Sequence, residues 1–386
     1  MRLSLTTRQL TSLFLVPLSA LCALGAPQRT NSEISRRATV CNGHVELCNK
    51  SFGSVSFVGA HDSYAIGVNS LAVNQDQNIT TQLDDGIRML QMQAHGQDGD
   101  IRLCHTSCSL YDGGTLGDFL KQGTLSDHTP HSFGLRTWLD ANPNEVLSLL
   151  IVNIDSLPVA QYDQIFKSAG LDAISFAPES TPLSANSWPT LGSMIDSGKR
   201  LVTFMDHGAD ASVPYIIDEF SNVWETEFNV VDAFDCNINR TNQNVDPTGQ
   251  MYLINHFLDK LVFNQPVPFI EKLNETNASS GNGSLAEQVD NCTAQHSKPP
   301  NFLLVDFYEF GGGSVFDVAA RINGVQNSPT KPIATPVSSA SSSSSAQTTS
   351  RPLNAGASTF GVVSYELAFS LISALAAVVA GPSLLL

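Results

Sequence analysis

Short apolar, β-rich runs recur along this chain at intervals too long for hairpins, and they limit its fold more than any other feature. They fall at residues 54–58, 87–92, 101–104, 146–154, 200–205, 222–228, 251–257 and 302–307. Strands buried on both faces read as unbroken apolar stretches, and parallel neighbours need long crossovers between them. Amphipathic helix patterns at 116–122, 133–140 and 158–169 occupy some of those crossovers. Eight runs is the number that closes a TIM-type (β/α)8 barrel, and about 285 residues from Cys41 to Val325 suit one such domain. An open doubly wound sheet would want a glycine-rich phosphate loop after its first strand, which Gly59-Ala60-His61 does not provide. In a barrel, chemistry is carried at the C-terminal ends of strands. His61, Asp62, His105, Asp155, Asp206, His207 and Asp306 all fall there.

Both ends of the 386-residue chain read as processing signals. Residues 1–25 combine Arg2 and Arg8 with an apolar run and a small-x-small site at Ala23-Leu24-Gly25, the pattern of a secretory signal peptide. Arg36-Arg37 either closes a pro-segment over 26–37 or is a solvated pair of charges. The catalytic domain is expected over 38–325 and a Ser/Thr-rich stalk over 326–354. The remaining 355–386 fit a GPI signal, with Asn354 as the ω residue ahead of a spacer and a charge-free run from Leu367. An ordinary membrane-spanning helix is the competing reading, but no Lys or Arg flanks the run. The expected location is the outer cell surface, with a lipid anchor as the membrane contact.

Outside the signal peptide six cysteines remain, an even count that suits disulfides in an oxidising compartment. Pairing neighbours (Cys41 with Cys48, Cys104 with Cys108, Cys236 with Cys292) is the simplest of fifteen connectivities, and the others stay open. Seven glycosylation sequons occur, at Asn49, Asn78, Asn239, Asn274, Asn277, Asn282 and Asn291. Four crowd into 274–293, which reads as a long glycosylated surface loop. Removing both ends takes five of 20 basic and two of 36 acidic residues, leaving a net charge near −19. So acidic a surface argues against nucleic acid and against electrostatic recruitment to anionic membranes. A monomer is expected.

His61 and His105 each end an apolar run. Two imidazoles at strand ends suit a pair that passes protons to and from one substrate, because their unperturbed pKa lies near neutrality. Asp306 is a lone acid inside an apolar run and must be paired if buried. Gly59-Ala60-His61-Asp62-Ser63-Tyr64, Gln82-Leu83-Asp84-Asp85-Gly86-Ile87-Arg88 and Leu103-Cys104-His105 together resemble the X-domain of phosphatidylinositol-specific phospholipase C. Asn142-Pro143-Asn144-Glu145-Val146 and Leu304-Val305-Asp306-Phe307 extend the resemblance, which fits best with secreted fungal PLC-like phosphodiesterases. It implies a TIM-barrel phosphoric diester hydrolase in which His61 is the general base and His105 the general acid. Asp306 would fix a histidine tautomer, and Asp62 would support the acid side.

Where the family places an arginine or calcium-binding carboxylates, at the end of strand two, this chain reads Leu90-Gln91-Met92-Gln93-Ala94-His95. The resemblance therefore implies no calcium, no other metal and no cofactor. Alternation puts Gln91, Gln93 and His95 on one strand face and Arg88 on the other. Gln91, Gln93, His95 and Asp206 are the expected substrate contacts, with His95, when protonated, standing in for the arginine. The expected substrate is a phospholipid or glycan phosphodiester. Two other readings are a cell-wall glycoside hydrolase or transglycosylase drawing on Glu225, Glu227 and Glu309, and a non-catalytic surface protein.

Overall fold

In the computed structural model, residues 37–68, 70–121 and 134–337 are described. The signal peptide, Asn354 and the GPI signal lie outside the described residues. The apolar runs open with the parallel strands β1 (Phe57–Ala60) and β2 (Met89–Gln97). Next come β3 (Asp100–Cys104) and β4 (Asp112–Thr115), then β5 (Leu147–Asn153), β6 (Leu201–Met205), β7 (Ile216–Asp218), β8 (Val223–Glu225) and β9 (Met251–His256). A hairpin of β10 (Asp259–Val262) and β11 (Gln265–Pro268) precedes the last strand, β12 (Phe302–Val305). Eight parallel strands run in the order β7-β6-β5-β2-β1-β12-β9-β8 and curl into a (β/α)8-type barrel. Its seam lies between β7 and β8.

The expected count of eight is right, but its membership is not. The 101–104 run is β3, which returns antiparallel along β2 with Ala94 opposite Leu103 and Gln97 opposite Asp100. Its signal is legible: Asp98 (φ 56°) and Gly99 (φ 88°) form the two-residue left-handed turn that favours Asp-Gly. The eighth stave is instead β7, three residues long and too short to stand out. Gly59 sits where β1 meets its neighbours, and a Cβ there would lie 3.0 Å from Leu304 Cδ1 and 3.2 Å from Met89 Cβ.

Helices pack outside: α1 (Ile79–Asp85), α2 (Leu116–Leu120), α3 (Leu135–Ala141), α4 (Val159–Ser168), α5 (Leu191–Asp196), α6 (Glu219–Asn222), α7 (Leu273–Thr276), α8 (Leu285–His296) and α9 (Ser314–Asn323). Caps set their starts. Asn78 accepts from the Thr81 amide ahead of α1, and Ser284 accepts from Glu287 ahead of α8. Alternation divides each stave between two cores. Phe302 and Leu304 point into the barrel with Phe57, Met89 and Phe204, while Leu303 and Val305 face the helices. Phe52 packs its ring, tilted, 5.1 Å from Phe57 and 5.0 Å from Trp188 in the core inside the barrel. Burying one such ring stabilises the fold by about 1.5–3 kcal/mol.

Two further expectations change. The sequon-rich 274–293 stretch is not one loop, because α7 and α8 occupy much of it. Asn274, Asn282 and Asn291 are exposed, but Asn277 is fully buried and donates to the carbonyls of Asp306 and Phe307. It is a structural residue, not an accessible glycan site. The folded body also extends past residue 325, since Ala334 and Val337 are hydrogen-bonded to Asp85 and Asp76. All three disulfides join sequence neighbours: Cys41–Cys48, Cys104–Cys108 and Cys236–Cys292.

Candidate active site

Above the apolar barrel interior, at the C-terminal ends of the staves, lies a cavity of about 490 Å³. Leu150 and Leu304 of the inner core reach its wall, and His61, His105, Gln91 and Gln93 open onto it. His61 follows β1, and its ring lies flat on Phe257, 3.8 Å between centroids at 6°. Nδ1 of His61 is 2.8 Å from Asp306 Oδ1, and Nε2 is 3.6 Å from Asp62 Oδ2. His105 Nε2 approaches the same Asp62 oxygen at 3.4 Å. One buried carboxylate therefore sits between the two imidazoles. Asp62 (φ 38°) and Phe307 (φ 42°), each directly after a site residue, hold left-handed backbones unusual for such side chains.

The strand-two glutamines have a different task from the expected one. Gln91 Oε1 accepts from the Asp62 amide at 2.6 Å, and Gln93 Nε2 donates to Asp62 Oδ2 at 2.8 Å. Gln93 Oε1 also accepts from the Thr106 amide at 3.0 Å, tying the His105 loop to strand two. They line the cavity but spend these hydrogen bonds on positioning Asp62. The Cys104–Cys108 bridge closes the loop that carries His105.

Electrostatics follow from burial. Burial lowers the His61 pKa, but Asp306 and then Asp62 outweigh it and raise it to about 9. Burial holds the Asp62 carboxyl above its ordinary range, partly offset by His61 and His105. Asp259, at the head of β10 and on the cavity wall, is pushed to about 7 by burial and by Asp306. Asn74 completes the base side, its Nδ2 lying 3.1 and 3.2 Å from the two Asp306 oxygens.

His95 and Asp206 do not line this cavity. His95 faces Asp155, with Nδ1 3.6 Å from Oδ2. Asp206 accepts from the amides of Asn153 and His207 and pairs with the His207 ring at 2.9 Å. Among the described residues, the Arg or Lys that reaches the cavity is Arg240, in the loop after β8. Its Nε donates to Glu225 Oε2 at 2.9 Å, and its guanidinium lies 4.6 Å over Phe228. Glu219 stands behind this pair. Burial, with Glu225 alongside, raises the Glu219 pKa well above the carboxylate range.

Asn74, Phe257, Asp259 and Arg240 were missed from sequence. Asp259 and Phe257 lie just past a strand end and could have been nominated on that ground; Asn74 and Arg240 sit deep in long loops and give no such signal. The three carboxylates nominated for glycoside hydrolysis do not converge. Glu225 lines the cavity, Glu227 is exposed and not part of its lining, and Glu309 is buried against Asp76. Trp224 and Tyr252 stack on each other at 4.4 Å in the outer core.

The family model described as PI-PLC X 1 matches residues 47–323. This chain belongs to the PI-PLC X family. A PI-PLC X domain-containing protein 1 of Arthroderma benhamiae is 41% identical over 291 residues, covering 74% of this chain and 90% of that one. A second protein of that fungus, named only as a secreted protein, is 41% identical over 309 residues, 78% of this chain but 66% of its own length. Among solved structures, the phosphatidylinositol-specific phospholipase C of Listeria monocytogenes aligns at 14% identity with a TM-score of 0.43, over 70% of this chain and 94% of that one. Within this PI-PLC X domain the site residues follow five different strands, β1, β3, β8, β9 and β12.

Proposed function

We propose that this PI-PLC X domain is an extracellular phosphoric diester hydrolase working by acid–base catalysis between His61 and His105. The observation that carries the reading is the convergence of both rings on Asp62 at the wall of one cavity. The secreted name of a relative supports the extracellular setting. In the forward step His61 Nε2 takes the proton of an attacking hydroxyl, whose oxygen bonds to phosphorus. The leaving oxygen departs with its bonding pair and takes a proton from His105. Asp306 on Nδ1 stabilises the imidazolium that forms, and Phe257 fixes the ring plane. Phosphate charge is met by Arg240 and by the histidines themselves. Gln91 and Gln93 stand where calcium-site carboxylates would, and neutral amides there leave the proton transfers to the two histidines.

With its pKa near 9, about one His61 in a hundred is neutral at pH 7. A base in that position makes kcat/KM climb as pH rises toward 9, whereas an acid there makes it fall above 9. The test is hydrolysis of a chromogenic aryl phosphodiester and of phospholipid head groups by the wild type, His61→Ala and His105→Ala. Losses on the order of 10²–10⁴ for each variant are expected. Full activity in either variant, or none in the wild type on any phosphodiester, would overturn the reading.

A further inference from the structure

We propose that a dibasic-specific endoprotease cuts this chain between Arg37 and Ala38, and that the freed α-ammonium of Ala38 then pairs with Asp196 at the N-terminal end of the barrel. The Arg36-Arg37 pair stands directly before the first residue that the folded body holds. Residues 37–40 belong to no helix or strand, and Arg37 and Thr39, on either side of Ala38, are exposed. Irregular, exposed backbone is what an endoprotease can draw into its cleft.

From Ala38 onward the chain is fastened. Ala38 itself packs, half-buried, against the core inside the barrel. The Asn42 amide donates to the Asn144 carbonyl at 3.1 Å. Its side chain both donates to the Val146 carbonyl, at 2.9 Å, and accepts from the Val146 amide, at 2.7 Å. Cys41–Cys48 closes the loop that follows, and Phe52 enters the inner core. Val146 leads into β5, so this segment plugs the N-terminal end of the barrel. A cut after Arg37 leaves every one of these contacts in place.

At the scissile bond the body presents a carboxylate that lacks a cation. The Ala38 nitrogen lies 2.7 Å from Asp196 Oδ1. Asp196 is the last residue of α5, and no basic residue occupies that last turn. The unpaired carbonyls at a helix C-terminus carry partial negative charge, so a carboxylate there has the wrong sign and a cation beside it the right one. Lys199, close by in sequence, is spent on the Ala173 carbonyl at 2.7 Å. In the uncut chain the Ala38 amide offers Asp196 one neutral donor. Hydrolysis adds water across the peptide bond: the C–N bond breaks, Arg37 keeps a carboxylate, and the Ala38 nitrogen leaves as an ammonium. Three donors and a full positive charge then occupy the place of one N–H, and the hydrogen bond becomes an ion pair. Asp196 is exposed, so the gain is that of a surface pair, a rise in melting temperature of about 1–3 °C.

The full chain is expressed in a yeast whose secretory pathway holds such a protease, as the wild type and as Arg36→Gln/Arg37→Gln, and recovered from the cell surface or medium. N-terminal sequencing should find Ala38 first in the wild type and an upstream residue in the double variant. Asp196→Asn, which keeps a neutral acceptor beside Ala38, is then introduced into both. Its melting temperature at pH 6.5 should fall by about 1–3 °C in the cut form and by less than half as much in the uncut form. A wild-type chain that begins anywhere other than Ala38 would overturn the cleavage and leave Arg36-Arg37 a solvated pair of charges. Equal losses in the two forms would overturn the ion pair. Neither measurement involves turnover, so hydrolytic activity, present or absent, does not bear on the outcome.

Discussion

Replacing Asp306 by Asn removes the charge that does most to raise the His61 pKa. An ordinary histidine titrates near 6.5 and this one near 9. At about 1.4 kcal/mol per pH unit, the gap corresponds to about 3 kcal/mol of folding stability. Because the folded-state value is the higher one, that stability is fully present below pH 6.5 and is lost as pH climbs through 9. In Asp306→Asn, burial pulls the ring down with only Asp62 and the weaker Asp259 opposing, so most of this pH-dependent part disappears. Asp259 acts in the same direction, since the same carboxylate helps to push its pKa to about 7. The variant should therefore be destabilised strongly near pH 6, and the difference from wild type should shrink by about 2–3 kcal/mol near pH 10. Urea unfolding at the two pH values measures it. A penalty that is the same at both would mean that Asp306 acts on His61 through packing and not through charge.

Arg240→Gln leaves buried Glu225 without its cation and should cost about 2–4 kcal/mol, discounted because the guanidinium is partly exposed. The paired Arg240→Gln/Glu225→Gln should recover much of that stability without recovering activity on anionic diesters; a denaturant series and kcat/KM across the cycle decide this. Mass spectrometry of glycopeptides from the secreted protein should find Asn277 unmodified, because its amide is buried on the carbonyls of Asp306 and Phe307. A glycan at Asn277 in folded protein would contradict that placement.

The barrel is legible because staves buried on both faces must be apolar throughout, and β5, β6 and β9 are plain in the sequence for that reason. Strand direction is not written in such a run, so β3 was placed among the parallel staves until the Asp98-Gly99 turn reversed it. His61, His105, Asp62 and Asp306 were readable because chemistry at the ends of staves breaks an apolar pattern. Arg240 was not. Its place beside Glu225 depends on an isolated bridge between residues fifteen apart and on a disulfide from Cys236 to α8, and neither leaves a periodic trace.

Gln91 and Gln93 change the meaning of the missing strand-two arginine. Gln93 donates to Asp62 Oδ2, and both glutamines accept from backbone amides, those of Asp62 and Thr106, a combination that a donor-only guanidinium cannot make. With His61 raised to about 9 by Asp306 and Asp62, another adjacent cation would lower its pKa and increase the neutral fraction near pH 7. Positive charge instead enters the cavity on Arg240, which is paired with Glu225, while burial holds the Glu219 carboxyl behind them well above its ordinary range. Basicity and charge compensation are thus supplied by separate walls of one cavity. Substituting Gln93 by Arg should accordingly lower the His61 pKa, moving the acid limb of the pH–rate profile downward, and a profile left in place would show that strand two does not govern that imidazole.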